Sequence, residues 1–308
     1  MVDVTDAAFR SLAIAWGADV TCSEMISAAG LVHGNQGAWN HVRPWPGEKP
    51  YGIQFMTGDP EEMAAAVRQV APIKPDYVDI NLGCPAPNIL KVCAGGFLLR
   101  DPKKAGAVMR VARAAADEVG IKSVSCKLRT GPSSDKDTYL EIGRQAEAAG
   151  LDWMVLHGRS VEQGYSGSAD WTAIGRLTAA MSIPVIGNGD LRTPEDVVRM
   201  RDETGCAGFF IARAAMHDPT IFRRMRQALN GQTVDEPPTL AARTALAREY
   251  LRRAVQVDIV NVADLRRQVS RFMAGAPGAK QLRVTMQHAR TREELESALD
   301  SALESACS

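Results

Sequence analysis

The chain has 308 residues, no net charge with its histidines neutral, and the apolar content of an ordinary globular protein. This length fits one large barrel or two domains. No apolar run approaches the roughly 18 residues that a membrane-spanning helix needs, and the N-terminus has no secretory signal. The six cysteines are scattered without a metal-ligand spacing, so we expect a reduced cytoplasmic protein, off the membrane and without a metal.

Short apolar or β-branched runs recur along the first two thirds of the chain, with alanine-rich amphipathic segments between them. Several of these segments begin with a capping residue followed by proline, as at Asp59-Pro60, which is typical of a helix start. Strands that alternate with helices predict a parallel sheet. The predicted strands are Ala18–Met25, Tyr51–Met56, Tyr77–Leu82, Ser123–Leu128, Trp153–His157, Pro184–Gly187 and Gly208–Ile211.

Seven strands are one fewer than a (βα)8 TIM barrel contains. The chain opens on a predicted helix, Ala7–Trp16, capped at Thr5-Asp6. We therefore expect the first strand to be truncated, lying before or at Met1. The alternative α/β fold is a doubly wound open sheet. It would carry a glycine-rich dinucleotide-binding turn after its first strand, and no such turn is present.

The alternation of strands and helices stops after Ile211. Gly231–Pro238 is polar with two prolines and is predicted to be a linker. A barrel over residues 1–230 would then be followed by a small all-α domain over residues 239–308. Its predicted helices are Leu240–Val257, Val262–Ala274, Gly278–Arg290 and Arg292–Cys307.

The charge is unevenly distributed along the chain. Phe222–Arg290 contains 13 Lys and Arg against 5 Asp and Glu, whereas the remaining residues are acidic on balance. A basic segment beside an acidic body suggests a polyanionic partner such as nucleic acid. A solvated, arginine-rich helical surface would have the same composition.

Active sites of TIM barrels lie at the C-terminal ends of the strands. Almost every predicted strand here ends in a hydrogen-bonding or cationic group, although strand ends that face solvent would also be polar. The loop after the third strand is short and rich in Pro and Gly, so it would hold Cys84 at a fixed place. Cys84 is therefore the first candidate for chemistry.

Loops after the last two strands of many barrels bind phosphate. The segment Gly187-Asn188-Gly189-Asp190 would let the backbone approach a ligand closely, and Arg213 would supply a planar donor fork. Lys127 is costly in a barrel interior unless it meets an anion or an electron-rich ring. Together these residues predict a site for a phosphorylated, hydrogen-bonding cofactor.

A long loop that begins at His157-Gly158-Arg159 and runs to Trp171 has little core-forming content, and loops of this kind usually bind ligands. A lone strand histidine is more often part of a core, but its position before Gly-Arg at a strand end favours a functional role.

Taken together, these motifs resemble the tRNA-dihydrouridine synthases, a family of FMN-dependent reductases, over essentially the whole chain. The most specific segments are residues 79–85, which read DINLGCP, and residues 157–167, which include HGR and end in QGYSG. Further matches are Val4-Thr5-Asp6, Gln54, Lys127-Leu128-Arg129, Asn188-Gly189-Asp190, Ala212-Arg213 and Gly275 to Lys280.

The resemblance implies that specific uridines in tRNA are reduced at their C5–C6 double bond to 5,6-dihydrouridine. Reduced FMN would give hydride to C6, Cys84 would protonate C5, and NADPH or NADH would supply the electrons. The target base would be flipped out of its stack, and a monomer is expected. The residues implied to hold FMN are Met1, Gln54, Asn81, Lys127, His157, Asn188, Gly189, Asp190, Ala212 and Arg213. Those implied to bind tRNA are Arg129, Arg159, Tyr165, Arg266, Arg267 and Lys280.

Three features depart from the family pattern. Only Met1 remains of the strand that usually reads Ala-Pro-Met, with Asp3 where glycine is usual. Cys93 and Ala212 also stand where the family has glycine. Two alternative functions remain open at this point: a barrel flavoenzyme of free pyrimidines, similar to dihydroorotate dehydrogenase, and a tRNA-binding protein that has lost its flavin.

Overall fold

Seven parallel strands form a single sheet in chain order, with helices between successive strands. The computed structural model describes residues 3–307, and the side chains of residues 3–304. The strands are β1 Thr21–Ser27, β2 Tyr51–Met56, β3 Tyr77–Leu82, β4 Ser123–Arg129, β5 Trp153–His157, β6 Val185–Asn188 and β7 Gly208–Phe210.

Fifteen helices are present in the described part of the chain, together with short 3-10 turns at Ala71–Ile73 and Gly95–Arg100. The helices are α1 Ala7–Ala15, α2 Ala28–Val32, α3 Gln36–His41, α4 Pro60–Val70, α5 Pro87–Lys91, α6 Pro102–Val119, α7 Tyr139–Ala148, α8 Trp171–Ala180, α9 Pro194–Thr204, α10 Arg213–His217, α11 Ile221–Leu229, α12 Leu240–Gln256, α13 Val262–Phe272, α14 Ala279–His288 and α15 Arg292–Cys307.

The sheet is curved, with one face turned inward. Lys127 on β4 lies with its Nζ 5.3 Å from the ring centroid of Phe210 on β7. A flat sheet would separate these strands by three spacings of about 4.8 Å each. The predicted α/β fold of the TIM-barrel type is therefore confirmed. Among the described residues no pairing joins β7 to β1, and the predicted truncated strand at Met1 lies outside them.

The predicted helix starts are confirmed where local capping chemistry specifies them. Asp59 accepts hydrogen bonds from the backbone N–H groups of Glu61 and Glu62 at the start of α4. Thr193 forms a capping box with Asp196 at the start of α9. At α4 the capping side chain satisfies N–H groups that the first helical turn leaves without partners.

The first of the seven predicted strands, Ala18–Met25, begins too early in the prediction. The backbone N–H of Ala18 donates to the carbonyl of Ala13, and Gly17 has a φ of 101°. These contacts close the end of α1 in a left-handed turn that favours glycine. Residues 18–20 are therefore used to leave the helix, and β1 begins at Thr21.

The C-terminal helices α12 and α13 pack on the N-terminal segment of the chain. The rings of Phe9 and Phe272 stack with centroids 6.4 Å apart, and the Tyr250 hydroxyl donates to Asp6 at 2.8 Å. Arg253 donates to Ser11 from the same side. The hydrophobic core is continuous across this contact. The division into domains at residues 230 and 239 stays a prediction.

Cys93, one of the departures from the family pattern, has a φ of 56°. A non-glycine residue there costs about 1–2 kcal/mol. Replacing Cys93 by glycine is expected to raise the free energy of unfolding by up to about 1 kcal/mol in urea denaturation, since glycine's larger entropy loss offsets part of the gain. Cys93→Ala keeps a Cβ and should show no such gain. An equal gain in both variants would contradict the backbone explanation.

Candidate active site

Polar side chains occupy the C-terminal ends of the central strands in register. Gln54 pairs with Asp79, and Asn81 pairs with Lys127. Further along the sheet, Arg129, His157 and Asn188 lie side by side on β4, β5 and β6. Because side chains two residues apart share a face of a strand, Asp79 and Asn81 point to the same side. The sheet therefore gathers these groups at the mouth of the barrel.

A chain of hydrogen bonds runs beneath Cys84. Gln54 Nε2 donates to Asp79 Oδ2 at 2.7 Å, and Asn81 Nδ2 donates to Gln54 Oε1 at 2.9 Å. Asn81 Oδ1 accepts from the backbone N–H groups of Gly83 at 3.1 Å and Cys84 at 2.9 Å. The loop that bears the partly exposed thiol of Cys84 is thereby tied to the strand side chains below it.

Lys127 is a cation without an anion. Among the described residues its ammonium makes no hydrogen bond or ion pair, and it lies over the ring of Phe210. Burial, reinforced by the charge of Arg129, lowers the pKa of Lys127 from 10.5 to about 8, although Asp79 opposes the shift. A half-buried cation in this state is suited to an anionic or electron-rich ligand.

The unpaired charge of Lys127 predicts a pH-dependent effect on stability. The pKa of Lys127 is lower in the folded than in the unfolded protein, so keeping it charged at neutral pH lowers the free energy of unfolding. This loss of stability disappears as pH rises from about 8 to 10.5. Lys127→Met is therefore expected to raise the Tm of the flavin-free protein at pH 7. The gain should shrink towards pH 10. A gain that is constant with pH would show that packing rather than charge causes it.

His157 is neutral in this environment. Burial, together with the positive charges of Lys127, Arg129, Arg159 and Arg213, lowers its pKa to about 2. Its Nε2 lies 3.4 Å from Nη1 of Arg159. A neutral imidazole can donate a hydrogen bond from one ring nitrogen and accept one at the other, so His157 is suited to bind a ligand and not to act as a cation.

Arg159 joins two loops at the mouth. Its guanidinium is 0% exposed, and Nη2 donates to Asp190 at 2.7 Å. The same side chain donates to the carbonyls of Ser166 and Gly167. Although burial would raise it, the bond from Arg159, the backbone N–H of Ala169 and the nearby charge of Arg192 hold the pKa of Asp190 at about 2. The loop after β5 is therefore bound to the turn after β6.

Tyr165 covers the mouth from this loop. Its side chain is 59% exposed and has the guanidinium carbons of Arg129 and Arg213 at 5.5 and 4.8 Å from its ring centroid. Arg213 also donates to Asp190 at 3.0 Å. Arg129 donates to the carbonyls of Ser160 and Gly164, which fixes the base of the loop. An exposed ring held between two cations can stack on a flat ligand.

Comparison with known proteins identifies the family. A family model described as Dihydrouridine synthase (Dus) matches residues 1–307. The chain belongs to the dihydrouridine synthase family. The predicted resemblance and enzyme class are thereby confirmed.

Curated relatives match over most of their length. A probable tRNA-dihydrouridine synthase of Aquifex aeolicus is 32% identical over 99% of this chain and 94% of its own. One of Treponema pallidum is 34% identical, covering 90% and 82%. The tRNA-dihydrouridine synthase B of Pseudomonas putida is 32% identical, covering 92% and 83%. These matches place nearly the whole chain within the family.

A solved structure supports the fold alone. The histamine dehydrogenase of Rhizobium sp. 4-9 aligns with a TM-score of 0.50 at 12% identity, covering 80% of this chain and 46% of that chain. The similarity at this identity extends to the architecture of the barrel and not to its chemistry.

The residues that the family resemblance assigns to FMN lie mostly at the mouth. Asn188 donates from Nδ2 to the carbonyl of Phe210, while Gly189 has a φ of 117° that favours glycine. Ala212 precedes α10 and directly adjoins Arg213. Met1 lies outside the described residues.

The three residues assigned to tRNA on the helical segment lie away from this cluster. Arg266 donates to the carbonyls of Gln287 and Ala289, and Arg267 pairs with Asp264 at 2.9 Å and with Asp3 at 3.3 Å. Lys280 is exposed and lines a cleft of about 430 Å³ together with Arg283. No contact in the described part of the chain brings the three side chains to the barrel mouth.

The sequence interpretation missed three residues that support the site without belonging to it. Asp79 and Ser125 form the floor of the hydrogen-bonded chain, with Ser125 Oγ 2.5 Å from Asp79 Oδ1. Phe210 faces Lys127. Asp79 could have been found, because it shares the period-two face of Asn81. The partners on other strands could not be assigned without the register of the sheet.

Neither a membrane-spanning helix nor a metal-binding cluster is found in the described residues. In residues 3–307 no helix is both long and apolar enough to cross a membrane. Within the same range no group of three or more His, Cys, Asp or Glu residues could hold a metal ion.

Proposed function

We propose that this member of the family reduces the C5–C6 double bond of uridines in tRNA to give 5,6-dihydrouridine, with FMN as its cofactor and NADPH or NADH as electron donor. The observation that carries the proposal is the position of Cys84, fixed on its loop at the mouth that also contains the unpaired cation Lys127. The names of the curated relatives supply the substrate, tRNA.

The donors present at the mouth fit FMN. In the described part of the chain, the backbone N–H groups of Gly189, Asp190 and Arg213 donate to no acceptor. Arg213 lies beside them and is 41% exposed in its side chain. Free N–H groups next to a guanidinium suit a phosphate. Lys127 and neutral His157 would bind the flavin ring, which is electron-rich when reduced.

Each residue then has a defined part in the reaction. When bound, reduced FMN supplies a hydride to C6 of the uracil ring. Cys84 donates the thiol proton to C5, so the double bond gains one hydride and one proton, and the thiolate regains its proton from water. Gln54 and Asn81 hold the loop of Cys84 in place. Tyr165, an exposed ring with Arg213 over its face, would stack on the flipped base.

The RNA would be bound mainly through its phosphates. The segment Phe222–Arg290 has an excess of eight positive charges, and contacts of this kind weaken steeply with salt. Lys280 and Arg283 are cations on the cleft of α14 for which the described residues offer no ion pair. Arg159 is fully buried, so in our proposal it positions the loop of Tyr165 and does not contact RNA. We propose a monomer that acts in the cytoplasm.

Mapping dihydrouridine in tRNA from cells with and without the gene tests the function. We expect at least one uridine position to lose the modification in the deletion strain and to regain it when the gene is restored. Restoration with Cys84→Ala should fail. An unchanged modification map would contradict the proposal. Turnover of orotate without tRNA would favour an enzyme of free pyrimidines, and a purified protein without a flavin absorbance band would favour a binding protein.

A further inference from the structure

Asp79 lies at the end of the hydrogen-bonded chain that reaches Cys84, and no part of the reaction described above uses it. Its side chain is buried on β3, and its two oxygens accept from Gln54 Nε2 at 2.7 Å and Ser125 Oγ at 2.5 Å. Burial raises its pKa to about 6, opposed by the bonds from Ser125 and Gln54. A buried carboxylate in this state costs stability at neutral pH.

The hydrogen bonds that link Asp79, Gln54 and Asn81 can form in only one donor-to-acceptor order. An ionised carboxylate only accepts hydrogen bonds, so Gln54 must turn its NH₂ group towards Asp79. The side-chain carbonyl oxygen of Gln54 then faces Asn81, which must donate to it from its own NH₂ group, at 2.9 Å. The remaining oxygen of Asn81 is thereby aimed at the N–H groups of Gly83 and Cys84. The reverse orientation would set donor against donor at the loop.

We propose that Asp79 is a positioning residue for Cys84. Acting through Gln54 and Asn81, it fixes which end of each amide faces the loop, and it thereby holds the backbone that carries the thiol. The inference rests on the proposed role of Cys84 and adds a residue that is separated from the loop of Cys84 by two side chains, Gln54 and Asn81. Among the described residues, Asp79 makes no hydrogen bond to the loop itself; its two bonds go to Gln54 and Ser125.

Three variants separate this role from a purely structural one. Asp79→Leu has nearly the same shape but removes the acceptor, so Gln54 loses the partner that orients it. Asp79→Asn keeps an acceptor for Gln54, because the Ser125 hydroxyl can turn to accept from the new NH₂ group. Ser125→Ala removes the other bond of Asp79 and leaves the route to Cys84 intact, which makes it the matched control.

Two readouts apply to the purified full-length protein. The first is the rate of dihydrouridine formation on unmodified tRNA. The second is the rate at which iodoacetamide alkylates Cys84, measured on its peptide by mass spectrometry relative to Cys93, which lies beyond α5. Thermal unfolding of each variant shows whether the fold is retained.

In Asp79→Leu we expect turnover to fall on the order of 10- to 100-fold, the effect of a displaced reacting group. The ratio of Cys84 to Cys93 alkylation should rise severalfold because the loop is released, and Tm should not fall. Asp79→Asn should recover most of both properties, and Ser125→Ala should resemble the wild type.

The proposal is overturned if Asp79→Leu leaves the alkylation ratio unchanged, or if its loss of turnover is matched by Ser125→Ala and by a drop in Tm. Failure of the proposed function gives a different result. The wild type would then form no dihydrouridine, while the alkylation ratio would still report whether Asp79 holds the loop.

Discussion

Replacing Cys84 by alanine is expected to lower the rate of dihydrouridine formation by about 100- to 10,000-fold, the usual contribution of a positioned general acid. The loss follows from the position of the thiol, which the bond from its own N–H to Asn81 fixes at the mouth. Among the described residues, Asn81 holds the backbone of only one other residue of this loop, Gly83, and glycine has no side chain that could donate a proton. The measurement is single-turnover reduction of unmodified tRNA by the flavin-loaded protein.

Binding should survive this substitution. The Cys84→Ala variant keeps the groups proposed to hold the flavin, so its flavin absorbance and its affinity for tRNA should match those of the wild type. Cys93→Ala is the matched control, since it removes a second thiol, which lies beyond α5, and it should retain nearly full turnover. Near-normal turnover by Cys84→Ala would exclude this thiol as the proton donor.

Replacing Arg159 by methionine is expected to lower the free energy of unfolding by about 3 kcal/mol, which is typical of breaking a buried ion pair on one side. The variant leaves Asp190 without its 2.7 Å partner and removes one donor each from the carbonyls of Ser166 and Gly167. Urea denaturation measures the loss. Because the loop of Tyr165 is released, the KM for tRNA should also rise.

Arg192 provides a matched control on the same carboxylate. It contacts Asp190 Oδ1 at 3.3 Å, but its side chain is 68% exposed. An exposed ion pair contributes about 0–1 kcal/mol, so Arg192→Met should change stability by less than about 1 kcal/mol. Equal losses in the two variants would contradict the assignment of Arg159 as the buried link between the loops.

The strands and helix starts could be predicted because their signals are local. The run from Tyr77 to Leu82 is a buried strand in the structure as in the sequence, and Asp59 caps α4 through N–H groups two and three residues away. The predicted strand Ala18–Met25 was placed too early because the turn at Gly17 depends on the carbonyl of Ala13 in the preceding helix.

The site could be predicted only where a motif specifies it. Cys84 and Asn81 follow from one short segment, but the bond from Asn81 to Gln54 joins two strands and depends on their register. Whether the guanidinium of Arg159 turns inward is likewise decided by residues far along the chain, since its carboxylate partner Asp190 lies on the next loop. The spacing of residues along the sequence therefore does not predict which way the side chain of Arg159 points.

The most direct test of the central claim is reduction of an unmodified tRNA transcript by the purified protein supplied with FMN and NADPH. Nuclease digestion and mass spectrometry would show whether a uridine has gained the mass of two hydrogen atoms. We predict this gain at a defined uridine in the wild type, and its absence with Cys84→Ala. A wild-type protein that holds flavin and binds the transcript but leaves every uridine unchanged would contradict the account.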